Sequence, residues 1–411
     1  MDFLTIVYLV YSFIAFYFLF LFVLIYVQNK KRINWVPPIT KRYGLSIVIP
    51  CYNEEKSIGK TIDNLVKNGY SNLKKIIVVD DRSTDNSYKI MKKYEKKYPG
   101  LVKAVQTKKN TGNAAGAKNY GAKFVRTELI GFTDADSFPE VGAIEKTIGF
   151  FDDPKVGAVT STVLVQNRKN ILCRLQAIEY IVIKFTRKLL EFVDSIYVTP
   201  GPLAIYRRSI FEEIGGFDEK NLTEDIEITW NLLAHGYKIK MSAPSKVYSI
   251  APTKVKAWFK QRIRWNMGGV QTMIKHRKAF MRNGMLGAFV LPFFIFSWMI
   301  GVFGLAIISY RVVRTIILKF LSTSLSVKSQ ATVIMLNDIR LVPNVLLFMG
   351  IVVFVLGLLY TLFALYTIRE RKEFKRPCVF SITTYTFFYL LVYPIILVVS
   401  AVKLMFGKAK W

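Results

Sequence analysis

Cysteine and histidine are scarce in this chain, three and two respectively among 411 residues. Cys51, Cys173 and Cys378 show no paired spacing, which excludes a disulfide framework, and His235 and His276 are too few for a zinc cluster. Acidic side chains are also short. Only 28 Asp and Glu face 58 Lys and Arg, a net charge of +30. Any bound metal must therefore be held by carboxylates from that small set. Charged residues are 21% of the chain against 52% hydrophobic, which excludes a disordered or collagen-like polypeptide and points to a membrane protein.

What the chain has in abundance is long apolar runs. Residues 3–27, 285–309, 345–367 and 379–404 each supply the roughly 20 residues that a spanning helix needs. The first lacks a basic start and a small-x-small cleavage site, so it reads as an anchor and not as a cleaved signal. Lys30, Lys31 and Arg32 follow it, which predicts that the large domain beyond is cytoplasmic in a multi-pass protein of the cell membrane. Arg369, Arg371, Lys372, Lys375 and Arg376 fall on the same side by an even number of spans. The basic stretch 311–340 falls on the other side by that count, so the topology of residues 310–343 is open.

Residues 30–284 lie between the first two runs and carry 45 Lys and Arg against 24 Asp and Glu, a net +21. Anionic lipid beside the anchoring helices accounts for such an excess, as do anionic substrates. No helix-turn-helix or zinc-finger pattern is present, so no nucleic-acid partner is expected. Within this region short apolar runs (45–50, 75–81, 102–106, 129–133) alternate with helical spacing (58–66, 87–98), the pattern of a mostly parallel sheet with helices on both faces. Ligands of such sheets bind beyond the carboxyl ends of the strands. The polar clusters stand there: Tyr52-Asn53-Glu54-Glu55, Asp80-Asp81-Arg82-Ser83, and Asp134-Ala135-Asp136. Two carboxylates two residues apart repel unless a cation relieves them, although capping acids in a plain turn would look alike. Thr223-Glu224-Asp225 opens an apolar-periodic helix, where acids are favoured in any case.

Taken in order, Pro50-Cys51-Tyr52-Asn53-Glu54, Asp80-Asp81, Asp134-Ala135-Asp136, Thr223-Glu224-Asp225 and Gln261-Arg262-Ile263-Arg264-Trp265 resemble a family 2 glycosyltransferase of the GT-A fold. The nearest group is the membrane-embedded processive synthases of hyaluronan, cellulose, chitin and poly-N-acetylglucosamine. The resemblance covers residues 44–280 by motif and the flanking helices by layout. It implies an α/β, Rossmann-like mixed sheet with interface helices, plus about four transmembrane spans. The boundaries it suggests are 1–29 for the first helix, 30–170 and 171–284 for the nucleotide-sugar and acceptor halves, and 285–411 for the membrane region.

The resemblance also distributes roles. Asp136 would be the ligand of a Mg²⁺ or Mn²⁺ cofactor, which would compensate the leaving diphosphate. Asp225 would be the catalytic base, with Glu224 orienting it. Pro50, Tyr52, Glu54, Asp80, Asp81, Lys118, Asp134 and Arg264 would bind the donor, and Gly201, Pro202, Gln261 and Trp265 the acceptor. Lys118 enters because the Asn110-Thr111-Gly112 turn is followed by Asn113 and not by the lysine usual in this group. No carboxylate is placed as a covalent nucleophile, so inversion is expected. The expected function is transfer from a UDP-sugar, with UDP-N-acetylglucosamine the first choice, to the end of a β-linked polysaccharide that is passed through the membrane. The same motif order fits transfer of one sugar to a lipid-linked acceptor such as a polyprenyl phosphate or a ceramide-like lipid. An inactive domain serving as a membrane scaffold is the third reading. Membrane lipid is an expected partner, and an accessory subunit is compatible with this layout.

The segment 171–193 repeats apolar residues at steps of three and four, one face of a helix, with Arg174, Lys184, Arg187 and Lys188 between them. That predicts a helix packed on the domain's own core or laid flat on the bilayer. The QxxRW segment, with Trp258 and Phe259 among lysines, would likewise suit a basic surface helix.

Overall fold

A computed structural model describes residues 3–329, 345–368 and 379–407; the basic cluster Arg369 to Arg376 and Cys378 lie outside these residues. Four strands, β1 (Leu45–Cys51), β2 (Leu73–Asp80), β3 (Val102–Gln106) and β4 (Leu129–Phe132), pair in parallel in the order β3-β2-β1-β4. They are linked by α2 (Ile58–Val66), α3 (Ser87–Lys97) and α4 (Ala114–Ala122). Alternation along β1 fills both faces: Ile47 and Ile49 pack with α2 and α3, while Val48 packs with α4.

Beyond β4 the sheet changes character. β7 (Ala204–Arg207) runs antiparallel to β4 and to β6 (Val156–Val165), β8 (Lys238–Ser249) runs parallel to β6, and β5 (Ser137–Pro139) closes the edge antiparallel to β8. The eight strands therefore form the mixed sheet that the resemblance implies, with four of its seven pairings parallel. β5 and β7 are three and four residues long, too short to announce themselves by periodicity. The segments before and after residue 170 share this one sheet.

α6 (Ile171–Glu191) packs neither on the sheet's core alone nor freely on a lipid surface. Phe185 and Leu189 meet Phe22 and Ile25 of α1 (Phe3–Asn29) and Ala364 of the Val345–Ile368 helix. Leu175 and Ile178 meet Ile382 and Tyr385 of the Val379–Met405 helix. Arg174 is exposed, but the other three charges are not solvated: Lys184, Arg187 and Lys188 are 6%, 5% and 3% exposed.

Three helical segments among the described residues are long and apolar enough to cross a membrane by length and composition, Ser12–Arg32, Leu286–Lys328 and Phe380–Met405. Val345–Ile368 is a further apolar helix of 24 residues. The second segment departs from expectation. α10 (Leu291–Ser329) continues 20 residues past the expected end at 309, because residues 310–329 hold no proline or glycine and keep apolar residues between Arg311, Arg314 and Lys319. At 39 residues it is about 58 Å long, roughly twice a bilayer's hydrocarbon core.

Candidate active site

The carboxyl ends of β1, β2 and β4 open into a cavity of about 990 Å³. Register explains the convergence. Cys51 of β1 stands opposite Asp80 of β2, and Val48 opposite Phe132 of β4, so the segments following all three strands emerge side by side. Pro50, Tyr52, Glu54, Asp81, Asp134 and Asp136 line the resulting wall.

Asp81 organises the loop over that wall. Its carboxylate accepts hydrogen bonds from Thr107 Oγ1 (2.9 Å), Thr111 N (3.0 Å) and Thr111 Oγ1 (2.8 Å), and its carbonyl accepts one from Asn110 Nδ2 (2.8 Å). Asn113 then caps α4 by accepting from Gly116 N at 2.9 Å. Asp80, in contrast, is not brought to the cavity. It is fully buried and accepts from Gln106 Nε2 (2.8 Å) and Ser83 N (3.3 Å), which makes it a brace between β2, β3 and the turn.

Lys118, Glu224 and Asp134 form the charged floor. Lys118, 2% exposed, donates to Glu224 Oε1 at 2.8 Å and lies 3.7 Å from Asp134 Oδ1. Burial alone would neutralise its ammonium, but Glu224 and Asp134 hold its pKa above the usual lysine value. The lysine is thus engaged with protein carboxylates and is not a bare phosphate ligand. Burial pushes the Glu224 carboxyl up, and Lys118 more than reverses that, so Glu224 keeps its charge. Beside it, burial and the Glu224 charge raise Asp225 above the ordinary aspartate range. Of the two carboxyls Asp225 is therefore the one that binds a proton first as the pH falls, because the lysine contacts Glu224. Asp225 is fixed at the start of α8 (Glu224–Ala234), where its Oδ1 accepts from Ile226 N at 2.9 Å.

Asp136 is pushed up to about 7 by burial, with Asp134 and Glu54 adding repulsion. A donor set carrying such uncompensated charge fits a hard cation. Among the described residues, however, no group of three His, Cys, Asp or Glu side chains is placed to hold a metal ion. An ion here would take few protein ligands and complete its shell with oxygen from substrate and water.

A further wall comes from the Pro200-Gly201-Pro202 turn and α9 (Val255–Lys275). A Cβ on Gly201 would stand 2.5 Å from Asp134 Oδ2, so this glycine admits the carboxylate as well as lining the cavity. The next residues hold strain, since Leu203 is fully buried with φ 49°, a region that costs a branched residue about 1–2 kcal/mol. Arg207 and Arg208 point elsewhere, bonding the carbonyls of Phe151 and Thr127. Gln261, Arg264 and Trp265 reach the cavity from α9, and Arg264 Nη1 donates to Leu222 O at 3.1 Å. α9 approaches α8 through Gly268, whose Cβ would lie 2.1 Å from Thr223 Oγ1.

Several lining residues were not assigned to the site from the sequence. Glu179 of α6 accepts from Arg262 Nε at 3.1 Å and from Nη2, and from Tyr389 Oη at 2.6 Å. Arg262, the second residue of QxxRW, is thereby fully buried, with Trp265 stacked 4.0 Å from its guanidinium carbon. Tyr180, Lys184 and Arg187 of α6, and Phe293, Phe294 and Trp298 of α10, also line the cavity. A helix that alternates an apolar face with a charged one was a signal for the first group; nothing local marks the aromatic residues of α10 among so many others.

Comparison with known proteins agrees with this architecture. Residues 46–215 match the family described as Glycosyl transferase family 2. A poly-beta-1,6-N-acetyl-D-glucosamine synthase of Staphylococcus aureus (strain COL) is 28% identical over 280 residues, 67% of this chain and 66% of that protein. The synthase of the same name from Staphylococcus epidermidis is 29% identical over 252 residues, 61% of this chain and 60% of that protein. The alignments thus span just under two thirds of these relatives' length. Among solved structures, the mannosyltransferase PcManGT of Pyrobaculum calidifontis, in complex with GDP-Man and Mn²⁺, superposes with a TM-score of 0.58 over 97% of this chain and 98% of its own, at 18% identity. That likeness concerns the fold, which is GT-A-like. The family match covers residues 46–215, less than half of the chain, and over that stretch the chain is similar to family 2 glycosyltransferases.

Proposed function

We propose that this enzyme is a processive, inverting synthase that adds N-acetylglucosamine from UDP-N-acetylglucosamine to a β-linked polysaccharide and passes the product through about four spans, with its catalytic domain on the cytoplasmic side. The observation that carries the reading is one cavity lined by carboxylates from the ends of β1, β2 and β4 and the start of α8, by QxxRW, and by aromatic residues of the membrane helices. The staphylococcal synthases support the choice of sugar and polymer.

In this reading Tyr52, Glu54 and Asp81 cradle the nucleoside, and Arg264 offers a planar fork to the diphosphate. Asp136, with Asp134 behind it, would hold Mg²⁺ or Mn²⁺, which supplies Lewis-acid compensation of the departing diphosphate; the fold's use of GDP-Man with Mn²⁺ in PcManGT is in keeping. Asp225 takes the proton of the acceptor hydroxyl, and Lys118 keeps Glu224 ionised so that the base sits beside a fixed charge. Trp265 and Gln261 face the acceptor ring. Single displacement needs no more protein chemistry than this.

The test is UDP release and product analysis with purified full chain, UDP-N-acetylglucosamine and Mn²⁺. Long polymer is expected, with turnover lost on chelation and reduced at least about 10²-fold in Asp225→Asn. Because Asp225 acts deprotonated and its pKa is raised, the acid limb of the rate profile should lie above about pH 4, the ordinary aspartate value. Products carrying one added sugar would overturn processivity, and wild-type turnover in Asp225→Asn would overturn the base.

A further inference from the structure

The QxxRW segment carries one charge that is spent inside the protein. Arg262 is fully buried, and Glu179 of α6 accepts from its Nε at 3.1 Å and from its Nη2. Tyr389 Oη donates to the same carboxylate at 2.6 Å, so Glu179 is tied to two helices at once. What remains of the guanidinium is Nη1, which donates to Gln261 Oε1 at 2.7 Å. Arginine has no acceptor, so the atom that Gln261 turns towards it must be the amide oxygen. The reverse orientation would set N–H against N–H beside a buried charge and forfeit the bond. Gln261 also lines the cavity, and among the described residues its Nε2 makes no hydrogen bond.

We infer that Glu179 is a positioning residue acting through Arg262: it commits the Gln261 oxygen to the protein, so that the cavity is offered N–H donors alone. The group read at this point is then an oxygen with a free lone pair (hydroxyl, ring or carbonyl) and not an ammonium or another donor-only group. The same guanidinium carbon lies 4.0 Å from the centroid of Trp265, which holds that ring at the neighbouring place on the wall. A neutral side chain at position 179 would leave the buried guanidinium uncompensated, which is why the relay begins with a carboxylate. That the oxygen belongs to a sugar rests on the function proposed above; the polarity of the amide does not.

Calorimetry on the detergent-solubilised full chain, with UDP and with a β-linked N-acetylglucosamine tetramer as probes, tests this. Gln261→Glu keeps an oxygen for Arg262 and removes the donors, so it should weaken the tetramer about tenfold and leave UDP within about twofold of wild type. Tetramer affinity equal to or above wild type in Gln261→Glu would mean that the amide accepts, and overturns the assignment. Glu179→Gln should also weaken the tetramer, but should add little in a chain that already carries Gln261→Glu, because the group it positions is gone. Penalties that multiply independently overturn the relay, since a merely structural role would give that result. Should Glu179→Gln fail to bind UDP, the paired change Glu179→Met with Arg262→Met strands no charge and decides in its place: it must weaken the tetramer, and wild-type affinity overturns the relay. A wild type that binds UDP but no tetramer overturns the acceptor reading and this inference with it. A bound tetramer indifferent to position 261 overturns this inference alone.

Discussion

At the scale of single residues, the site is organised by one buried lysine. Lys118 and Glu224 are 2% and 8% exposed at their side chains and bond at 2.8 Å. Removing one partner strands the other charge, which costs about 3–5 kcal/mol in buried pairs. Glu224→Gln should therefore lower the thermal unfolding midpoint well beyond a surface substitution, and the double change Lys118→Met with Glu224→Leu should regain most of the loss. Equal midpoints for Glu224→Gln and wild type would remove the pair from any structural role. The sequence displayed the carboxylates clearly, since acids at strand ends in an acid-poor chain stand out. It could not display who neutralises whom. Lys118 lies 106 positions from Glu224, and Asp80 differs from its neighbour Asp81 only in which side of the strand end it faces.

Among elements, the contact of α9 with α8 decides where Asp225, the proposed base, stands. Gly268 lets α9 come close enough that a methyl group would fall 2.1 Å from Thr223 Oγ1. Gly268→Ala should separate the helices and displace Asp225, lowering kcat at least about tenfold, since small misplacements of reacting groups are costly. KM for the donor should move less, because the proposed donor residues lie at the ends of β1 and β2. A donor KM effect larger than the kcat effect would contradict this account. The strands β1 to β4 and helices α2 and α3 were legible within a residue or two, because their apolar periods are strong and their turns are marked. β5 and β7 were not, being short, and neither was the packing of α6. An amphipathic helix shows that it has two faces without showing what each face meets.

For the whole molecule, sheet and membrane helices make one chamber. Tyr389 of the last described helix hydrogen-bonds Glu179, which holds Arg262 of QxxRW, and Trp258 packs against Phe388 and Tyr389. Residues 30–284 expressed without the helices would lose these contacts and the α10 wall. Such a fragment should release UDP at least about 10²-fold more slowly than the full chain in detergent, since its acceptor side is open to water. Comparable rates would mean that the sheet suffices. The apolar runs announced the helices themselves, and α10 ran longer than its hydropathy suggested because nothing in residues 310–329 breaks it.

α6 has a single backbone and two obligations, one towards the bundle and one towards the cavity. A bulkier side chain at Phe185 or Leu189 would lever Lys184 and Arg187 across the chamber, because all four ride on the same rigid rod. The size of molecule the cavity admits and the tightness of the apolar helices around it are consequently one inherited trait, and neither can drift without the other answering.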